Sequence, residues 1–175
     1  MVFGSGSYAG STTAEIARAA GVSEPIIYRH FASKRELWFA CLDEAWRDLR
    51  AAIELKAMPS RSPSLTDDDP ESQSPWASPL LPNLWMQGVT EAGGDEEIER
   101  HVRAHMRQVH DFVAETMRGA QASGAMAADR DADAEAWVFV AGGLLRSFDD
   151  RLGGVIGATE FDAIGRERRR WLFGR

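Results

Sequence analysis

The sequence predicts an all-α chain: a small N-terminal helix-turn-helix followed by a larger helical body. Three observations carry this. Thr12-x-x-Glu15 and Ser33-x-x-Glu36 are both capping boxes, in which a hydroxyl and a carboxylate each satisfy a free backbone N–H at a helix start. Apolar residues recur three and four apart through most of the chain, with no convincing run of alternating strand residues. Gly21 sits between the first two periodic segments, where a tight turn requires positive φ.

Thr12 to Ala20 is the first complete helix, with Ile16, Ala17 and Ala20 as its buried stripe. Ser23 caps the second. Pro25 falls in its first turn, where a missing N–H costs nothing, and Val22, Ile27 and Phe31 are expected inward. Ser33 opens a long amphipathic helix through Leu37, Ala40, Cys41, Ala45, Leu49 and Ile53, ending near Met58. Residues 59–82, PSRSPSLTDDDPESQSPWASPLLP, are rich in Pro, Ser and Asp and read as an extended connection.

Asn83 to Ala92 is a short apolar helix containing Trp85 and Met86. Asp95 to about Ser123 is a long one with the stripe Ile98, Val102, Val109, Phe112, Val113, Thr116 and Ala120. Asp131 to Leu152 is apolar nearly all round from Ala136 to Leu145. A helix apolar on every side is buried on every side, which in a chain this short points to a second copy. Ala141-Gly142-Gly143 would allow two such helices a close approach. Thr159 to Trp171 is the last helix, with Phe161, Ile164, the stem of Arg168, Trp171 and Leu172 expected inward. Its RERRR end suits the negative pole of the helix dipole and reads as a solvated face.

At 175 residues and 44% apolar composition the chain can bury a real core. The net charge of −7 argues against a uniformly nucleic-acid-binding surface. Residues 1–57, however, carry as many Lys and Arg as Asp and Glu, so the whole excess lies in the rest. A neutral head beside an acidic body is compatible with a head that meets DNA. The lone cysteine, Cys41, excludes a disulfide within the chain, fits a reducing cytoplasm, and reads as a small core residue. No stretch approaches the roughly 18 apolar residues of a membrane span. The start, MVFGSGSYAG, lacks the pattern of a signal peptide. Without a nucleophile elbow, a phosphate-cradling glycine loop or a convincing carboxylate-histidine cluster, the sequence reads as no enzyme, with neither cofactor nor metal.

The chemistry concentrates in AGVSEPIIYRHFASKREL, residues 20–37. A helix, a tight turn at Gly21 and a short second helix form a helix-turn-helix, with small Ala17 where the two helices cross. Its second helix would enter the major groove of double-stranded DNA N-terminus first, with Ser23, Glu24, Pro25 and Ile26 nearest the base edges. Glu24 could accept from a cytosine amino group or sit in solvent at the helix's positive end. Tyr28, Arg29 and His30 can reach phosphates. Thr12, Thr13 and Lys34 lie at or near helix N-termini, which favour phosphate. In the body, His101 and His105 lie four apart with Glu97 one turn earlier. A metal pair, a buried His105 bonded to protein or water, and a polar contact to a small ligand all fit that spacing.

The run Thr13-x-x-Ile16-Ala17-x-x-Ala20-Gly21-Val22-Ser23-x-x-x-Ile27-Tyr28-x-His30-Phe31-x-Ser33-Lys34-x-x-Leu37 resembles the DNA-binding signature of tetracycline-repressor-like (TetR) regulators. The resemblance implies a DNA-binding domain over residues 1–45 and a ligand-binding and dimerisation domain over 46–175. It implies a homodimer formed through the last two helices, about 131–172. It also implies a transcription factor, mostly a repressor, that binds a near-palindromic operator and is released by a small apolar or amphipathic effector. Tyr28, His30 and Lys34 take the backbone-contacting positions of the motif, and Trp85, Met86, His105, Phe112 and Trp137 are the candidate pocket. The family has a helix before this motif, for which only Met1 to Phe3 could serve as the last turn. The apolar surface from Leu37 to Leu49 is therefore expected to lie uncovered. The alternative reading is a small-molecule-binding helical module that has lost DNA binding through N-terminal truncation.

Overall fold

The computed structural model describes residue 8 and residues 10–57, 80–91 and 95–173. Among the described residues every regular element is a helix: α1 (Thr13–Ala19), α2 (Glu24–His30), α3 (Lys34–Ala57), α4 (Leu80–Glu91), α5 (Glu96–Ala122), α6 (Ala132–Arg151) and α7 (Ala158–Phe173). Most of the expected linker, 59–79, lies outside the described residues, as does Met58. Its end does not behave as linker. Leu80, Leu81 and Pro82 form the first turn of α4, and Leu81 and Pro82 are buried. A proline in a first helical turn forfeits no hydrogen bond, so apolar burial extends the helix back past it.

Caps set the other boundaries. Thr12 accepts from the Glu15 N–H while the Glu15 carboxylate accepts from the Thr12 N–H at 2.8 Å, a complete capping box. Asp95 accepts from the N–H groups of Glu97 and Ile98 ahead of α5, and Asp131 does the same for Asp133 and Ala134 ahead of α6. The box at α3 is displaced: Ser33 Oγ accepts from Glu36, but the Glu36 carboxylate reaches back to the Ala32 N–H at 2.6 Å.

α5 and α6 lie along each other, α4 packs on both and on α3, and α3 also meets α5. Trp38, Leu42, Leu84, Trp85, Val109 and Val140 are essentially solvent-free at the centre. The surface from Leu37 to Leu49 is covered rather than open, because α4 and α5 lie over it and the Tyr8 ring sits edge-on to Trp38 at 5.8 Å. Trp38, Leu42 and Trp46 widen the buried face of α3 well beyond the narrow stripe that its spacing suggests. Cys41 is half-buried against the same core, and burial pushes its thiol pKa up.

Four expected packings are corrected. Ala20, expected in the buried stripe of α1, is exposed as its C-cap. Val22 is exposed, since the turn around Gly21 directs it outward while Ile27 fills the small core. Ile164 and Trp171 are also exposed; of the last helix's stripe only Leu172 is buried. α6 is not enclosed all round. Ala136, Val140, Gly143 and Ser147 face the body, whereas Val138, Ala141, Leu145, Phe148 and Leu152 face outward. Gly143 therefore serves packing within this chain.

Candidate nucleic-acid interface and the helical body

The head is built around one crossing. Ala17, 2% exposed, lets α1 and α2 approach, and Gly21 turns the chain between them at φ +70°. The Val22 N–H returns to the Ala17 carbonyl at 3.0 Å, so the turn is closed by its own backbone. Ser23 stands at the cap of α2 in extended conformation without a side-chain cap bond, and Pro25 occupies the first turn.

On this frame Ser23, Pro25, Ile26, Tyr28, Arg29 and His30 are all exposed on α2. Ile26, at 44%, is an apolar side chain left in solvent, and Tyr28 is 51% exposed. Thr12 is exposed and its hydroxyl lies 3.0 Å from the Glu15 carboxylate. Thr13 departs from the expectation. It is buried, its hydroxyl donates to Glu24, and it lies 3.0 Å from the Tyr28 hydroxyl. Glu24 is half-buried and, through Thr13, ties α2 to α1. Lys34, also half-buried, donates to the Tyr8 carbonyl, with its ammonium 4.6 Å from the Tyr8 ring centre. The head is joined to the body where Arg35 meets Asp95 at 3.1 Å and Glu97 at 2.7 Å. Backbone N–H donation from Ile98, then Arg35, hold the Asp95 carboxyl below its usual range.

Of the five candidate pocket residues, Trp85 and His105 touch directly, and Trp46 links them to Phe112. Trp85 is fully buried and donates from Nε1 to His105 Nδ1 at 3.1 Å. Trp46 stands edge-on to both His105 and Phe112. Phe112 is half-buried with the Arg50 guanidinium 4.8 Å from its ring centre, and Met86 is half-buried. Burial, then neighbouring His101, lowers the His105 pKa to about 4, so the ring is neutral and Nε2 carries its proton. That Nε2 is buried without a hydrogen-bond partner, as is Trp38 Nε1. Among the described residues no group of three His, Cys, Asp or Glu could hold a metal.

Trp137 lies elsewhere, 39% exposed, in a surface hollow of about 450 Å³ with Arg100, Arg103, Ala104, Met106 and Arg107. A second hollow of about 290 Å³ shares Arg100 and Ala104 with it and adds Phe39, Glu97 and His101. These arginines went unread in the sequence, although their spacing of three and four marks one helical face.

Residues 1–41 match the family described as bacterial regulatory proteins, tetR family. That match spans α1, α2 and the start of α3, so the likeness falls on the helix-turn-helix. Beyond this TetR-type head, likeness extends to the whole fold. A TetR-family transcriptional regulator from Agrobacterium tumefaciens superposes with a TM-score of 0.64 at 21% identity, over 98% of this chain and 91% of that one. The Saccharomonospora viridis protein solved in complex with choline gives 0.62 at 20% identity, over 99% and 92%. No curated protein matches the chain significantly. No helix among the described residues is long and apolar enough to cross a membrane.

Proposed function

We propose that the chain is a one-component transcriptional regulator, with residues 1–45 reading DNA and 46–175 binding an effector and dimerising. It works as a cytoplasmic homodimeric repressor on a near-palindromic operator, is released by a small apolar or amphipathic molecule, and catalyses no reaction. The observation that carries this reading is the open face of α2: Ser23, Pro25, Ile26, Tyr28, Arg29 and His30 are all exposed. A short helix presenting an isoleucine, a tyrosine, an arginine and a histidine to solvent suits a major groove flanked by phosphates. Thr13 and Glu24 act from behind, fixing α2 at its angle to α1. The choline held by the S. viridis protein supports an effector site in a body of this architecture.

Dimerisation rests on the outward side of α6. Val138, Ala141, Leu145, Phe148 and Leu152 recur at alternating steps of three and four and all are exposed, the a/d seam of a helix that lacks its partner. Ile164 and Trp171, seven apart on α7, are exposed apolar side chains as well.

The decisive measurement is fluorescence anisotropy on a duplex selected from random sequence by the purified chain. Binding should weaken steeply with salt, as counterion release requires. Tyr28→Ala should lower affinity about tenfold on every sequence tested, about 1.4 kcal/mol, with its fold intact because the ring is half in solvent. Failure to enrich any duplex would return the chain to the alternative of a ligand-binding module without DNA.

A further inference from the structure

The outward face of α5 carries a groove that DNA binding leaves unused. Arg100, Arg103 and Arg107 stand at i, i+3 and i+7, so their guanidinium groups emerge on one side of the helix. None of the three pairs with a carboxylate among the described residues, whereas Arg35, Arg50 and Arg118 each do. Between them the surface is apolar. Arg107 lies over the Trp137 ring at 5.0 Å, and Met106 and Ala104 continue the floor. In the adjoining hollow the Phe39 and His101 rings stack at 3.8 Å, and His101 Nε2 is buried with no hydrogen-bond partner. Among the described residues lining the two hollows the one carboxylate is Glu97, and Arg35 already engages it at 2.7 Å.

Unpaired guanidinium groups beside exposed aromatic surface concentrate a positive field in a chain whose net charge is −7. A hollow of about 450 Å³ is within the range that small ligands fill. We propose that this groove binds an amphipathic anion, a carboxylate or phosphate ester on an aliphatic or aromatic body. Arg103 and Arg107 take the head, since the guanidinium fork matches both oxyanions. The apolar part lies on Trp137, Met106 and Ala104. The site stands apart from the DNA-binding reading, and a chain that bound no duplex would keep it.

Isothermal titration of the full chain with decanoate, decyl phosphate and decanol tests it. One or both anions should bind saturably at one site per chain, and decanol at least tenfold more weakly. The double substitution Arg103→Gln/Arg107→Gln should weaken the anion at least tenfold. Arg47→Gln/Arg170→Gln, which removes exposed arginines elsewhere, should leave it within twofold. All four side chains are exposed, and circular dichroism checks that each variant folds. Trp137→Ala should weaken binding several-fold by removing the floor. Equal binding of decanol, absence of saturable binding, or affinity indifferent to the Arg103/Arg107 change would overturn the proposal. So would a change in self-association on that substitution with decanoate affinity intact, which would make the groove a contact between copies.

Discussion

A single hydroxyl joins the two short helices of the head. Thr13 Oγ1 donates to the Glu24 carboxylate and lies 3.0 Å from the Tyr28 hydroxyl, so one side chain of α1 fixes two of α2. Thr13→Val keeps the shape and deletes the bridge. Because Glu24 and Tyr28 can turn to water, the loss should be about 1 kcal/mol rather than the larger penalty of a stranded buried group. Urea denaturation measures it; an unchanged midpoint would mean that the bridge is incidental. His105 makes a larger demand. Unfolded, its imidazole titrates near 6.5; folded, burial and His101 hold it at about 4. The lowered value means that its contribution is fully present above pH 6.5 and is lost as pH falls toward 4. The amount is on the order of 3 kcal/mol. His105→Gln, which keeps an acceptor for Trp85, should remove that acid limb, so melting temperatures of the two proteins should converge between pH 7 and pH 4. Parallel curves would show that the imidazole is not buried neutral.

At the scale of elements, a glycine decides how α4 crosses its neighbours. A methyl group on Gly88 would stand 2.5 Å from Val102 Cγ2 and 2.9 Å from Trp38 Cη2. Gly88→Ala should therefore destabilise by about 1–3 kcal/mol through overpacking, despite the gain of about 1 kcal/mol in helix propensity. Gly119, near the end of α5, has nothing within 4 Å of the same position. There the same change should stabilise by about 0.5–1 kcal/mol, and thermal melts of the two variants should move in opposite directions. Helix existence and caps were legible in the sequence because they are local: Thr12, Asp95 and Asp131 each satisfy N–H groups two or three residues on. The turn at Gly21 was legible for the same reason. What was hidden depends on partners far along the chain. Trp38 and Trp46 are core because α4 and α5 cover them, and Glu24 is structural because Thr13 lies behind it. His105 is satisfied on one nitrogen by Trp85, twenty residues away, so spacing within α5 alone could not separate a core histidine from a ligand. Val22 and Trp171 read as inward because periodicity counts apolar residues without knowing where the covering element stops.

The whole molecule presents two opposed kinds of surface on one scaffold. The head's open face is mostly polar, with Ile26 among Ser23, Tyr28, Arg29 and His30, while the outward side of α6 is apolar over four turns. The first suits a wet, charged partner and the second a dry, self-complementary one. If α6 pairs with its symmetry mate, the two α2 helices become one rigid reader, and affinity for a two-half-site duplex far exceeds that for one half. A charge in the seam should separate these properties. Leu145→Arg/Phe148→Arg places two guanidinium groups where a second copy would bring two more, while both positions are exposed in the single chain and tolerate the change. Sedimentation should find the wild type dimeric at micromolar concentration and the variant monomeric, with little difference in helical content. Affinity for a palindromic duplex should fall at least a hundredfold, and affinity for a half-site should stay within a few-fold. A variant that remains dimeric would place the two-fold contact elsewhere. One that becomes monomeric yet binds the palindrome undiminished would separate DNA reading from dimerisation altogether.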